Sequence, residues 1–314
     1  MTWKPRHAPR QRPPAVQPSP SLHCREATHL ISPIVHHPLE VHLGPITITG
    51  FGLAVVLGFL IGQFVGEREL TRRGYPNEPV GDVVIGALVG FLIGAKAYYA
   101  VLEGDWTALF SREGFVFWGG LFGGVVVGTM VLVAKRVSVW RMFDVAGIGI
   151  AAGYAVGRTG CWAVGDDYGR PWSSPLAVAF PEGAPPSTAR NLEQLFGADV
   201  PPGVSPDTVL AVHPTQLYET ALGLVMFFIL WRLRNHKHAE GWLFGLYLIL
   251  AGAERFFVEF LRAKDDRILG PLTVAQAISI ALIVVGVAIM AWRRSPRPGA
   301  PGIYPTAAPL PRAH

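Results

Sequence analysis

The chain has 314 residues, of which 50% are apolar, 16% are charged and 36 are glycine; its mean hydropathy is +0.34. Soluble domains carry about 25% charged residues, so this chain lacks the polar side chains to cover a water-facing globule of its length. Two cysteines, Cys24 and Cys161, exclude a disulfide scaffold. The net charge of +5 does not imply a nucleic-acid partner, because the basic residues flank apolar runs and form no basic face.

Proline marks the segments that are not helix. Of 27 prolines, eight lie in residues 1–40, nine in 164–215 and six in 295–314. Residues 1–30 contain no apolar h-region, so they read as a disordered N-terminal extension and not as a signal peptide. Crossing about 30 Å of hydrocarbon takes about 20 helical residues. Seven stretches qualify: 46–66, 81–102, 115–134, 143–163, 216–234, 241–261 and 272–292. Glycines recur within them at spacings that let membrane helices approach closely, as at Gly86, Gly90 and Gly94 and at Gly119, Gly120, Gly123 and Gly124. The expected fold is an all-α polytopic integral membrane protein of about seven transmembrane helices. Its membrane domain occupies residues 31–292, with an extracytoplasmic loop domain at 164–215 between spans four and five. Residues 293–314 read as a disordered tail.

Lysine and arginine in the short connections set orientation. Arg68, Arg72 and Arg73 follow span one, and Lys135, Arg136 and Arg141 follow span three. Arg232, Arg234 and Lys237 follow span five, and Arg293, Arg294 and Arg297 follow span seven. The other side has Arg112, and the long loop has only Arg170 and Arg190 against six acids. The expected topology is N-terminus outside and C-terminus cytoplasmic. The connection at 262–271, with Arg262, Lys264 and Arg267, breaks this bias.

Ionisable residues within spans are expensive and mark function. Here they are Lys96, Arg158, Glu219, Glu254, Arg255 and Glu259, of which Arg255 and Glu259 are spaced for an i,i+4 pair. A guanidinium matches phosphate oxygens bidentately, and an arginine near the outer face meets lipid headgroups first. Arg158 is the strongest candidate, and a phospholipid-binding cavity is the reading from the residues. His213 is isolated and Cys161 lacks a CxxC partner, so no metal site is expected. No P-loop or GxSxG elbow is present, and no cofactor is expected.

At 157–169 the chain reads Gly-Arg-Thr-Gly-Cys-Trp-Ala-Val-Gly-Asp-Asp-Tyr-Gly, followed by Pro171-Trp172 and Phe180-Pro181. Residues 213–219 read His-Pro-Thr-Gln-Leu-Tyr-Glu, and 255–262 read Arg-Phe-Phe-Val-Glu-Phe-Leu-Arg. With the opening at Ile31-Ser-Pro-Ile and Leu43-Gly-Pro-Ile-Thr-Ile, these motifs resemble the bacterial prolipoprotein diacylglyceryl transferase family over about residues 31–292. The resemblance implies an inner-membrane enzyme acting on phosphatidylglycerol and on prolipoprotein signal peptides with a lipobox cysteine. It would move the diacylglyceryl group to the cysteine thiol and release glycerol phosphate.

It further implies phosphatidylglycerol binding by Arg158, with Lys96, Gln216 and Tyr218 around the lipid. Catalytic roles would fall to Arg255, Asp166, His213 and Glu219. The chain departs from the family at Phe51, where a tyrosine is common, at Trp118, where a histidine is common, and at Cys161, where the signature has asparagine. The family's histidine base therefore has no counterpart: either another group takes the thiol proton, with His213 as the candidate substitute carrier, or the chain is a divergent relative with altered activity. The alternative reading is a non-enzymatic phospholipid-binding or transport protein on the same frame.

Overall fold

A computed structural model describes residues 34–43, 46–110, 116–263, 267–269 and 272–295. The expectations for residues 1–30, and for nearly all of 293–314, lie outside the described residues. Three short strands come first among the described residues: β1 (Ile34–Val35), β2 (Glu40–Leu43) and β3 (Ile46–Thr49). The helices α1 (Gly50–Arg72), α2 (Glu78–Glu103), α3 (Phe117–Ala134) and α4 (Val139–Val164) follow. Then come β4 (Val178–Ala179), the short helix α5 (Ala189–Gln194), β5 (Ala211–Val212), and the helices α6 (Thr215–Leu233) and α7 (Trp242–Val258). A hairpin of β6 (Arg267–Leu269) and β7 (Leu272–Thr273) leads into α8 (Val274–Trp292).

Among the described residues, seven long helices thus lie on the seven apolar stretches. Five of them, α1, α2, α4, α6 and α8, are long and apolar enough to cross a membrane. Two predicted starts are corrected, since residues 46–49 and 272–273 are strand and not helix. The reason is capping. Thr49 accepts a hydrogen bond from the Gly52 amide, and Thr273 forms a reciprocal capping box with Gln276. An N-cap residue takes an extended backbone, so neither helix extends further upstream. Strands among the described residues are confined to connections. At their C-termini, α2 and α4 stop on Gly104 and Gly165, both in the left-handed region.

Glycines set the helix pairing. A Cβ on Gly58 of α1 would lie 2.9 Å from the carbonyl oxygen of Gly153 on α4, and one on Gly153 would lie 2.7 Å from that of Gly58. Gly245 of α7 and Gly286 of α8 face each other in the same way, as do Gly90 of α2 and Gly123 of α3. Backbones at this distance gain dispersion contacts that a side chain would block. α4 packs against α1, α6 and α7, which makes it the centre of the bundle, with α2–α3 and α7–α8 as flanking pairs.

A buried ionic cluster ties the N-terminal end of α4 to its neighbours. Asp144 accepts hydrogen bonds from the amides of Gly241 (2.8 Å) and Phe244 (2.9 Å), which caps α7. Arg73, also buried, pairs with Glu69 at 2.7 Å. His236 lies between them with both ring nitrogens buried and without hydrogen-bond partners, 3.9 Å from Asp144 and packed on Trp242. Burial first, and then the charges of Arg73 and His238, push the His236 imidazole down to about 4 and outweigh the nearby carboxylate.

The folded pKa lies below the ordinary value of about 6.5. Stability from neutral His236 is therefore complete above about pH 6.5 and is lost as pH falls towards 4. Thermal unfolding in detergent is expected to show a loss of about 2–3 kcal/mol over that window. His236→Gln is expected to flatten it, and an identical pH slope in the variant excludes His236 as the source.

Candidate active site

Residues 164–215 form a small structured cap on the C-terminal end of α4. β4 pairs parallel with β1 and antiparallel with β5, in the order β1-β4-β5. Phe180 is fully buried beneath this sheet, stacked on Tyr168 and met edge-on by Trp162. The Tyr168 hydroxyl donates to the carbonyls of Pro185 and Pro186. Leu192, Ala198 and Val212 complete the cluster. Tyr168 and Phe180 of the long loop are thus at its core, with Phe196 packed against them.

Backbone hydrogen bonds join the three motifs. The Gly169 amide donates to the His213 carbonyl (2.8 Å), and the His213 amide returns a bond to the Arg170 carbonyl (3.0 Å). On the other edge the Arg170 amide donates to the Leu261 carbonyl (2.9 Å), and Gly169 bridges Arg262. The 169–172 segment is therefore held between the start of α6 and the end of α7. A Cβ on Gly169 would lie 2.7 Å from the His213 Cβ and 2.9 Å from a Thr215 methyl. Gly169→Ala is expected to lower stability by about 1–3 kcal/mol through this clash, measurable as a fall in melting temperature in detergent. An unchanged melting point refutes the packing argument.

This ladder assembles a cluster of charges. The Arg158 guanidinium pairs with Glu219 through Nη2 and with Asp167 through Nη1 (2.9 Å). Arg262 reaches Asp167 at 2.5 Å and Glu219 at 3.6 Å. Arg255 pairs with Glu259 at 2.7 Å, the i,i+4 pair that its spacing predicts, and approaches Glu219 at 4.0 Å. Glu219 is buried with three guanidinium groups around it, and Arg255 is the most exposed of the three. Each arginine retains a buried nitrogen without a hydrogen-bond acceptor: Nε of Arg158, whose Nη2 meets Glu219 as an ion pair, Nη1 of Arg255 and Nε of Arg262. Buried donors are normally satisfied, and an anionic oxygen is the acceptor that suits a guanidinium N–H.

The two aspartates of the signature divide. Asp167 has a left-handed backbone (φ 55°), which turns its carboxylate to Arg158 and Arg262. Burial opposes its ionisation, but Arg262 and Arg158 hold the carboxyl at about 2. Asp166 instead lies against the buried Cys161 and Asp167, with one ligand atom of each within 4.8 Å of the others. Burial, and then the charge of Asp167, raises its carboxyl. Gln216 donates to the Asp166 carbonyl and Thr215 to the Asp167 carbonyl (2.5 and 2.7 Å), which fixes the turn after α4.

Other predicted residues stand apart from the arginines. His213 stacks on Trp172 with ring centroids 4.2 Å apart and lies 3.4 Å from the Tyr218 hydroxyl; burial pushes its imidazole below the ordinary value. Lys96 is on α2, with Nζ 5.9 Å from the Tyr99 ring centroid, and enters none of the ion pairs above. Sequence reasoning missed Arg262 and Asp167 as site residues. The available signal for Arg262 was its place in the one connection that breaks the charge bias. An apolar cavity of about 570 Å³ opens between the α1–α4 and α2–α3 pairs, with Gly58, Phe91, Leu121, Tyr154 and Gly157 among its walls, the last of these adjoining Arg158 in sequence.

The model of the family described as prolipoprotein diacylglyceryl transferase matches residues 38–292. The chain belongs to this family. It is a multi-pass membrane protein and a transferase of lipoprotein biosynthesis by that membership. It is 33% identical over 270 residues to the phosphatidylglycerol–prolipoprotein diacylglyceryl transferase of Geobacillus kaustophilus, covering 81% of this chain and 92% of the relative. The enzyme of the same name from Bacillus cytotoxicus is 32% identical over 264 residues, covering 82% and 92%. That from Bacillus cereus strain G9842 is 31% identical over 267 residues, with the same coverage. The match spans all three motifs and the whole of the arginine cluster.

Proposed function

We propose that the protein transfers the diacylglyceryl group of phosphatidylglycerol to the lipobox cysteine thiol of prolipoproteins, forming a thioether and releasing glycerol phosphate. The observation that carries this reading is the three arginines, each with an unmatched buried N–H, converging on Glu219 beside an apolar cavity. An anionic headgroup suits the first and acyl chains suit the second. Arg158, Arg255 and Arg262 hold the phosphate and stabilise the charge that grows on the leaving oxygen. Glu219 and Asp167 orient these guanidinium groups. Gln216 and Asp166 hold the turn after α4, while His213 and Tyr218 brace the strand at 169–172 and Lys96 meets lipid from α2.

In this reading the protein sits in the bacterial inner membrane with the arginine cluster, residues 164–215 and the N-terminus outside, and the C-terminus in the cytoplasm. The membrane domain spans 31–292, flanked by extensions at 1–30 and 293–314. Expression in cells depleted of their own diacylglyceryl transferase tests the function directly. Restored growth and prolipoprotein mass with the wild type, but not with Arg158→Ala, is the expected result. A well-expressed wild-type protein that lipidates nothing overturns the reading.

A further inference from the structure

The reaction needs a group to take the thiol proton, and most carboxylates at the site are already engaged. Asp167 serves two arginines, Glu219 three, and Glu259 is held by Arg255. Asp166 faces Cys161, with Oδ1 sealed from solvent. Glu254 differs. Among the described residues its carboxylate has no cation within ion-pair distance, and its hydrogen-bond partner is the neutral Tyr154 hydroxyl, which donates at 3.1 Å.

Position distinguishes it further. Tyr154 stands one turn before Arg158 on the same face of α4 and lines the apolar cavity. Glu254 precedes Arg255 on α7, and the charges of Glu219, Arg255 and Arg158 all bear on it. Tyr154 therefore links the cavity wall to Glu254, at the junction with the arginine-bearing ends of α4 and α7. In a phospholipid bound with its phosphate on the arginines and its tails in the cavity, the glycerol carbon attached to phosphate falls at that junction.

Resting on the proposed function, we infer that Glu254 accepts the proton of the substrate thiol, with Tyr154 as the positioning residue that holds its carboxylate. The S–H proton passes to a Glu254 oxygen as the sulfur forms a bond to the glycerol carbon. The carbon–oxygen bond to phosphate breaks, and its electron pair leaves on glycerol phosphate, held by the arginines. Protonated Glu254 then releases its proton to water. The thiolate, and not the thiol, is the attacking species, and a positioned base contributes about 10²–10⁴-fold.

The test uses purified full-length protein in nanodiscs containing phosphatidylglycerol, with transfer to a lipobox peptide followed by mass spectrometry. A second peptide carries selenocysteine, whose selenol is ionised at neutral pH and needs no base. Glu254→Gln is expected to slow transfer to the cysteine peptide by about 100-fold or more and to leave transfer to the selenocysteine peptide within a few-fold of wild type. Tyr154→Phe is expected to give a smaller loss, again confined to the cysteine peptide. A Glu254→Gln protein as fast as wild type on cysteine overturns the inference and leaves the proposed function intact. An equal loss on both peptides, with Glu254→Asp no better than Glu254→Gln, also overturns it by reducing Glu254 to a structural role. Wild-type protein that modifies neither peptide overturns both readings.

Discussion

Replacing Arg158 with lysine is expected to lower diacylglyceryl transfer by about 10²–10³-fold while leaving the protein folded. The substitution keeps the charge and removes the fork. Arg158 serves two carboxylates with separate Nη groups and keeps Nε for a third partner. A lysine ammonium is a point charge and cannot occupy all three directions with planar geometry. Losing one preorganised donor to a developing oxyanion costs about 10²–10³ in rate. The measurement is initial rate on a lipobox peptide at saturating phosphatidylglycerol, with melting temperature as the folding control. Lysine at wild-type rate would show that charge alone suffices and would remove the fork from the mechanism.

Replacing Glu219 with glutamine is the second large effect, and it acts first on stability. Glu219 is buried and sits among Arg158, Arg262 and Arg255. Removing its charge leaves three guanidinium groups at one site with Asp167 and Glu259 as their remaining acidic partners. Breaking a buried ion pair by removing one partner costs about 3–5 kcal/mol, because the surviving charge stays desolvated. A marked fall in melting temperature is expected, together with loss of transfer, since the arginines then repel one another out of register. A Glu219→Gln protein with the wild-type melting temperature would falsify the central place of this carboxylate.

The helical frame was legible because its cause is local. A run of about 20 apolar residues must satisfy its own backbone hydrogen bonds in lipid, and glycines at regular spacing mark where helices touch. The helix starts at Gly50 and Val274 were misplaced because Ile46–Thr49 and Leu272–Thr273 are apolar or neutral enough to extend the run. Threonine capping, which depends on backbone conformation, ends it instead. The Arg255–Glu259 pair was legible from helical spacing, and its 2.7 Å contact follows from that period.

The signature aspartates show the limit. Adjacent residues of identical chemistry cannot be told apart without the backbone, and the left-handed turn at Asp167 decides which one meets the arginines. Arg262 read as a loop charge, because its proximity to Glu219 depends on how the end of α7 pairs with residues 169–170. The Tyr154–Glu254 hydrogen bond joins helices 100 residues apart, a separation at which no spacing rule operates.

By itself the sequence determined that this protein lives in a membrane, where its helices run and which family its motifs resemble. Those properties follow from composition and from periods of a few residues. Only the tertiary structure decided that Arg158, Arg255 and Arg262, all distant from it in sequence, gather around the buried Glu219. Charges inside a bundle are arranged by long-range pairing of helix ends, and desolvation leaves each of them stable only where its partners are brought to meet it.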